Sequence, residues 1–195
     1  MSFFSKLFHK DKEEAPKEAD PNVIELPCGK FLFADDDEYE IGYEAEIDWY
    51  EKTNDIHYYP VGVFIEVDIP GTRDASLGLE RFTRLYDDRK WTDYKVKLAV
   101  TEHYLDDNGT IVTDYGDTMS KDEFMEKLKI EFIAVYRSGK IVYSLDFPWV
   151  RDNADEVVII YDENDKTTVM DDSEYHKNFL SLIFPERVSG EDQTE

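Results

Sequence analysis

The stretch EYEIGYEAEIDWYE, residues 38–51, alternates apolar and acidic side chains almost without a fault. Successive residues of an extended chain point to opposite faces. Tyr39, Ile41, Tyr43, Ala45, Ile47 and Trp49 therefore share one face, and Glu38, Glu40, Glu44, Glu46 and Asp48 share the other. This is the pattern of a strand with one side in a core and one in water. Its wet side carries carboxylates and no cation.

The next stretch, HYYPVGVFIEVDIPG (residues 57–71), repeats the alternation, with Val61, Val63, Ile65, Val67 and Ile69 between Gly62, Phe64, Glu66 and Asp68. The polar KTNDIH between them reads as a loop, so the two strands are expected to pair antiparallel. On that pairing Glu66 and Asp68 extend the acidic face, at a cost of roughly a few tenths of a kcal/mol per facing like-charge pair. Upstream, VIELPCGKFLFADDD reads as two short strands around a Pro-Cys-Gly turn.

Gly71 ends this β region and helical patterns follow. RDASLGLERFTRLYDDR places Leu77, Leu79, Phe82, Leu85 and Tyr86 near one helical face. WTDYKVKLAVTEHYLDDNG fits two templates. Val96, Leu98 and Val100 alternate, while Trp91, Tyr94, Leu98, Thr101 and Leu105 recur at helical spacing; the length and the Asn108-Gly109 stop predict a helix. Ser120 and Glu123 form a capping box that opens another. KIEFIAVYRSGKIVYSLDF predicts a hairpin turning at Ser138-Gly139, and EVVIIYDENDKTTVM a second hairpin with a longer polar turn. SEYHKNFLSLIF closes as a helix. The fold class expected is α+β: one antiparallel sheet with helices packed against it, in a single domain. The organisation expected is a leader and polar linker over 1–22, the domain over 23–184 and a disordered acidic tail over 185–195.

The chain has 195 residues, enough for a substantial core, with 13 Tyr and 12 Phe. Its 46 Asp plus Glu against 22 Lys plus Arg give a net charge of −24. That surface repels phosphate backbones and argues against nucleic-acid binding. It attracts basic proteins, cationic peptides or metal ions, and it also serves plain solubility. The lone cysteine, Cys28, excludes an intramolecular disulfide and reads as a small residue at a strand entrance. No run nears the ~20 apolar residues of a membrane span, and MSFFSKLFHKDKEE has no signal-peptide core, so a cytoplasmic location is expected. In that leader Phe3, Phe4, Leu7 and Phe8 form an apolar patch beside Lys6, Lys10 and Lys12. It can be an amphipathic contact with an anionic membrane surface, an unattached leader or a loosely docked peptide.

No motif fixes a chemistry. With Gly109 at the sixth place of a calcium loop, Tyr104 falls at the first and Tyr115 at the twelfth, where carboxylates are required. His9, His57, His103 and His176 are scattered and one cysteine cannot complete a zinc site. There is no GxSxG elbow, no phosphate-binding glycine loop and no dinucleotide fingerprint. No cofactor, metal site or catalytic centre is therefore expected.

The segments LPCGKFLFADDDEYEIGYEAEIDWY and MSKDEFMEKLKIEFIAVYRSGKIVYSLDF resemble bacterial proteins of the "domain of unknown function 2262" type over roughly Leu26 to Met170. The first is a Gly-x-Phe strand followed by an acidic, aromatic strand; the second is a capped helix feeding a hairpin. Where that family has an aromatic-Gly-His stretch after the second hairpin strand, this chain has PWVRDNADEVVII, so no site residues carry over. Related small acidic α+β domains accompany bacterial toxins as suspected immunity proteins, so the resemblance implies binding rather than catalysis.

The expected function is a non-enzymatic module whose acidic face, Glu38, Glu40, Glu44, Glu46, Asp48, Glu66 and Asp68, engages a basic protein partner. Tyr50, Tyr58 and Tyr59 either anchor that contact or pack within the domain. An enzyme or small-ligand protein with a site assembled from distant residues, and a membrane-associated adaptor using the Phe-rich leader, are the alternatives.

Overall fold

In the computed structural model, residues 20–35, 40–51, 60–112, 116–146 and 156–185 are described. The leader with its phenylalanines, Glu38, Tyr39, Tyr58, Tyr59, His9, His57 and the tail beyond Pro185 lie outside them.

The elements follow the sequence pattern closely: β1 (Val23–Leu26), β2 (Gly29–Ala34), β3 (Gly42–Ile47), β4 (Val61–Glu66), α1 (Ser76–Asp87), α2 (Arg89–Tyr104), β5 (Thr110–Val112), β6 (Thr118–Ser120), α3 (Lys121–Lys127), β7 (Lys129–Val135), β8 (Ile141–Asp146), β9 (Glu156–Tyr161), β10 (Thr167–Asp171) and α4 (Asp172–Ile183). Eight strands form one sheet in the order β1-β2-β3-β4-β7-β8-β9-β10, and β5 with β6 forms a small ladder of its own. Every pairing in the large sheet is antiparallel except β4 with β7, which run parallel. Two consecutive meanders, β1–β4 and β7–β10, thus meet at one parallel seam. The chain between them supplies α1, α2, the β5–β6 ladder and α3.

Local chemistry sets the element ends. The Ser120 side chain accepts from the Glu123 N–H at the start of α3, as its capping box requires. Asp171 does the same for Glu174 at α4. Gly139 has φ +88° in the β7–β8 turn, a conformation that side chains with a Cβ rarely adopt.

The alternation along each strand sorts the core into two layers. Phe31, Tyr43, Ile47, Val63, Ile65, Ile133, Tyr143, Leu145, Val157 and Ile159 pack with Phe82 of α1, Val96 and Val100 of α2 and Phe124 of α3. Their neighbours Phe64, Ala134, Tyr136, Val142, Val158 and Ile160 point the other way, against Tyr175, Phe179, Ile183 and Phe184 at α4. The sheet is therefore covered by helices on both faces, not on one. The second layer is aromatic: the Tyr136 ring meets Phe179 and Phe184 edge-on at centroid distances of 6.2 and 5.8 Å.

On α2 the buried residues are Thr92, Val96, Val100 and Thr101. Val96 and Val100, which alternate in sequence, thus share one helical stripe, while the spacing led by Trp91 and Tyr94 runs from the outer side to buried Thr101. Trp91 and Tyr94 lie exposed, stacked 5.4 Å apart.

A candidate protein-docking face

α4 covers only part of the second face. Across the rest, backbone pairing fixes which side chains stand together. One row runs Leu32, Glu44, Phe64, Ala134; the next runs Glu46, Gly62, Phe132, Ser144. Phe64 is buried beneath α4, whereas Leu32 in the same row is 52% and Phe132 in the next 38% exposed, so the helix cover reaches Phe64 and stops short of both. Gly62 is what lowers the floor there. A Cβ on it would stand 2.8 Å from the Phe132 ring, which leans over the vacant position. The outcome is a shallow trough of about 490 Å³ lined by Leu32, Ala34, Glu44, Glu46, Gly62 and Phe132.

Carboxylates flank this apolar floor on both sides. Glu44 and Glu46 stand exposed on β3. Beyond Phe132, Asp146 of β8 is directly opposite Glu156 of β9, and Glu156 accepts a 2.7 Å hydrogen bond from Ser144 Oγ. Glu131 occupies the bulge that shifts the β7 register between Ile130 and Phe132. Partial burial, and then the neighbouring charges of Asp146 and Glu156, push its carboxyl above the usual range, with Lys129 pulling the other way. These carboxylates repel one another at rest, and a bound cation would relieve that repulsion.

The acidic residues expected from sequence divide sharply. Glu44 and Glu46 are on the face. Glu40 is drawn to the Tyr136 hydroxyl, which donates to it at 3.3 Å. Asp48 lies exposed just past β3, where its backbone carbonyl accepts from Tyr86. Glu66 is a correction: it is 3% exposed, not on a wet face. It accepts from the Arg137 N–H at 2.8 Å and pairs with Arg137 Nε at 3.3 Å, because α4 buries this end of the second face. Asp68 lies past the end of β4, part-exposed, and its carboxylate accepts from the Leu77 N–H in the first turn of α1. The expected like-charge ladder between β3 and β4 is also corrected. Glu44 faces Phe64, and Glu46 faces Gly62.

Tyr50 is a packing residue. Its hydroxyl donates to Asp93 Oδ1 at 2.8 Å and accepts from the Ile130 N–H at 2.7 Å, joining β3's exit to α2 and β7. Burial, reinforced by Asp93, pushes its ionisation well above the ordinary tyrosine range. Cys28 is half-buried, and burial raises its thiol too, which makes it a weak nucleophile.

Sequence reasoning missed Leu32, Phe132, Asp146 and Glu156 as partners in one face. Leu32 sits between Phe31 and Phe33 and looks like core. The bulge at Glu131 breaks the alternation that would have exposed Phe132.

Recesses elsewhere among the described residues include two more. The larger, about 580 Å³, is lined by Asp68, Arg137, Ser138, Lys140 and the 162–164 turn. Its cations are engaged within the fold: Arg137 holds Glu66, and Lys140 Nζ donates to the Leu182 carbonyl at the end of α4. The smaller lies between Trp49 and Lys90. No group of three or more His, Cys, Asp or Glu arranged to hold a metal ion occurs among the described residues. Among them, too, no helix is long and apolar enough to cross a membrane.

No family model matches the chain, and neither a curated protein nor a solved structure does.

Proposed function

We propose that the protein is a non-enzymatic, cytoplasmic docking module of a bacterial cell that binds a basic protein partner, in the manner of an immunity protein. The observation that carries this reading is the trough itself: exposed Leu32 and Phe132 on a floor kept low by Gly62, between Glu44 and Glu46 on one side and Asp146 and Glu156 on the other. An apolar side chain of the partner desolvates on the floor, and lysines or arginines beside it meet the rims. The rims steer the encounter, and the floor holds what arrives. The resemblance of residues 26–50 and 119–147 to the family of unknown function points the same way, since it implies binding.

The test is capture from the host cell with the wild-type chain and with a Glu44→Lys/Glu46→Lys variant, followed by kinetics on the purified pair. A basic protein retained by the first and lost by the second, associating about tenfold or more slowly at physiological than at low ionic strength, is the expected result. An association rate that ignores salt rejects the electrostatic mechanism.

A further inference from the structure

We infer that the chain's own basic leader, residues 1–12, occupies this trough in cis and is the first ligand an outside partner must displace. The inference rests on the docking reading of the face and names its resident occupant. Three observations carry it. The first is chemical match. In the leader the apolar residues Phe3, Phe4, Leu7 and Phe8 are interleaved with Lys6, Lys10 and Lys12. The trough offers the complement, exposed Leu32 and Phe132 between carboxylates.

The second is reach. The described chain begins at Asp20, immediately before β1, which is the edge strand on the trough's side of the sheet. From β1 to β7 is four strand steps in the order β1-β2-β3-β4-β7, or roughly 19 Å at about 4.8 Å a step. Residues 13–19 span up to roughly 24 Å when extended. The linker can therefore set the leader on the floor without disturbing β1.

The third is energetic. On the β8–β9 rim Lys129 stands opposite Asp146 and pulls the Glu131 carboxyl down, but does not outweigh burial and the acidic neighbours. The carboxyl of Glu131 stays raised by burial and by its acidic neighbours. Three lysines delivered by a short tether would relieve this repulsion at an effective concentration of order mM, far above any free partner.

The experiment uses the full chain, with Cys28→Ser and Ser5→Cys to carry a nitroxide label on the leader. Paramagnetic broadening of the amides of Leu32, Glu44, Gly62 and Phe132 is expected, and it should vanish with Lys6→Glu/Lys10→Glu/Lys12→Glu. No broadening, broadening on another surface, or broadening only between labelled and unlabelled molecules in a mixed sample overturns docking in cis. Attachment of the leader to anionic phospholipid vesicles with the face left unbroadened overturns it as well. A synthetic peptide of residues 1–12 serves as the second probe. It should bind the charge-reversed chain about tenfold tighter than the wild type, because the tethered competitor is gone. Equal binding to both chains at the trough overturns the inference and leaves the docking reading standing. Binding to neither, with no broadening, overturns the inference as well, while the docking reading stands or falls on the partner's salt-dependent association.

Discussion

The Glu66 carboxylate, buried at the end of β4, is held by Arg137 twice over: by its backbone N–H at 2.8 Å and by its side-chain Nε at 3.3 Å. The pair ties β4 to the β7–β8 turn, and the Arg137 guanidinium also lies 5.8 Å from the centre of the Phe184 ring at the end of α4. Removing one partner of a buried ion pair strands the other. Arg137→Met should therefore destabilise the fold by about 3 kcal/mol, the lower end for such pairs because Arg137 is partly exposed. Glu66→Gln, which keeps an acceptor for the backbone N–H, should cost about 1 kcal/mol. Urea midpoints at unchanged slope measure both.

Tyr50→Phe removes an acceptor from the Ile130 N–H and a donor from Asp93. A loss of about 2 kcal/mol is expected, since a part-buried N–H is left unpaired. The trough should be untouched, so partner affinity should not move.

Alkaline stability follows from the tyrosines. Burial raises the ionisation of Tyr50, Tyr136 and Tyr143, and that of Tyr175 to about 12. Each ionises near 10 in the unfolded chain. A group whose folded value is raised contributes stability that is complete below the unfolded value and falls away as pH climbs past it. The stability of the fold should therefore decline above about pH 10 by about 1.4 kcal/mol per pH unit for each such tyrosine. Tyr143→Phe should shallow that decline by one tyrosine's share, read from unfolding curves at stepped pH.

Two glycines on the second face should respond differently to alanine. At Gly42 a Cβ would fall 2.2 Å from the Ile65 carbonyl oxygen, a backbone atom that cannot yield without breaking the β3–β4 ladder. Gly42→Ala should cost about 3 kcal/mol or more. At Gly62 the obstacle is the edge of the Phe132 ring, which can rotate away. Gly62→Ala should leave the fold standing yet fill the trough, weakening partner binding about tenfold or more. Thermal unfolding beside binding titration separates the two.

Much of this architecture is legible in the sequence because its signals are local. Strand alternation, the Ser120–Glu123 box and the turn at Ser138-Gly139 each act within a few residues, and the structure has them where the pattern puts them. What escapes are the long-range facts. The parallel join of β4 and β7 depends on how α1, α2 and α3 return the chain, and that join sets Phe132 beside Gly62. The burial of Glu66 depends on α4, which lies at the far end of the chain. Alternation identifies two faces of a strand; it does not say that a second helix layer will dry out part of the wet one.

The parallel seam also bears on how the molecule assembles in time. Each meander closes between strands that are neighbours in sequence, with far less chain to draw in than the β4–β7 crossover. β4 and β7, by contrast, can meet only after the whole crossover has been drawn in. Joining contacts so distant in sequence is the slow kind of folding event. The pairing of Gly62 with Phe132 is therefore expected to form late. A partner seated there would act as a clasp that slows their separation.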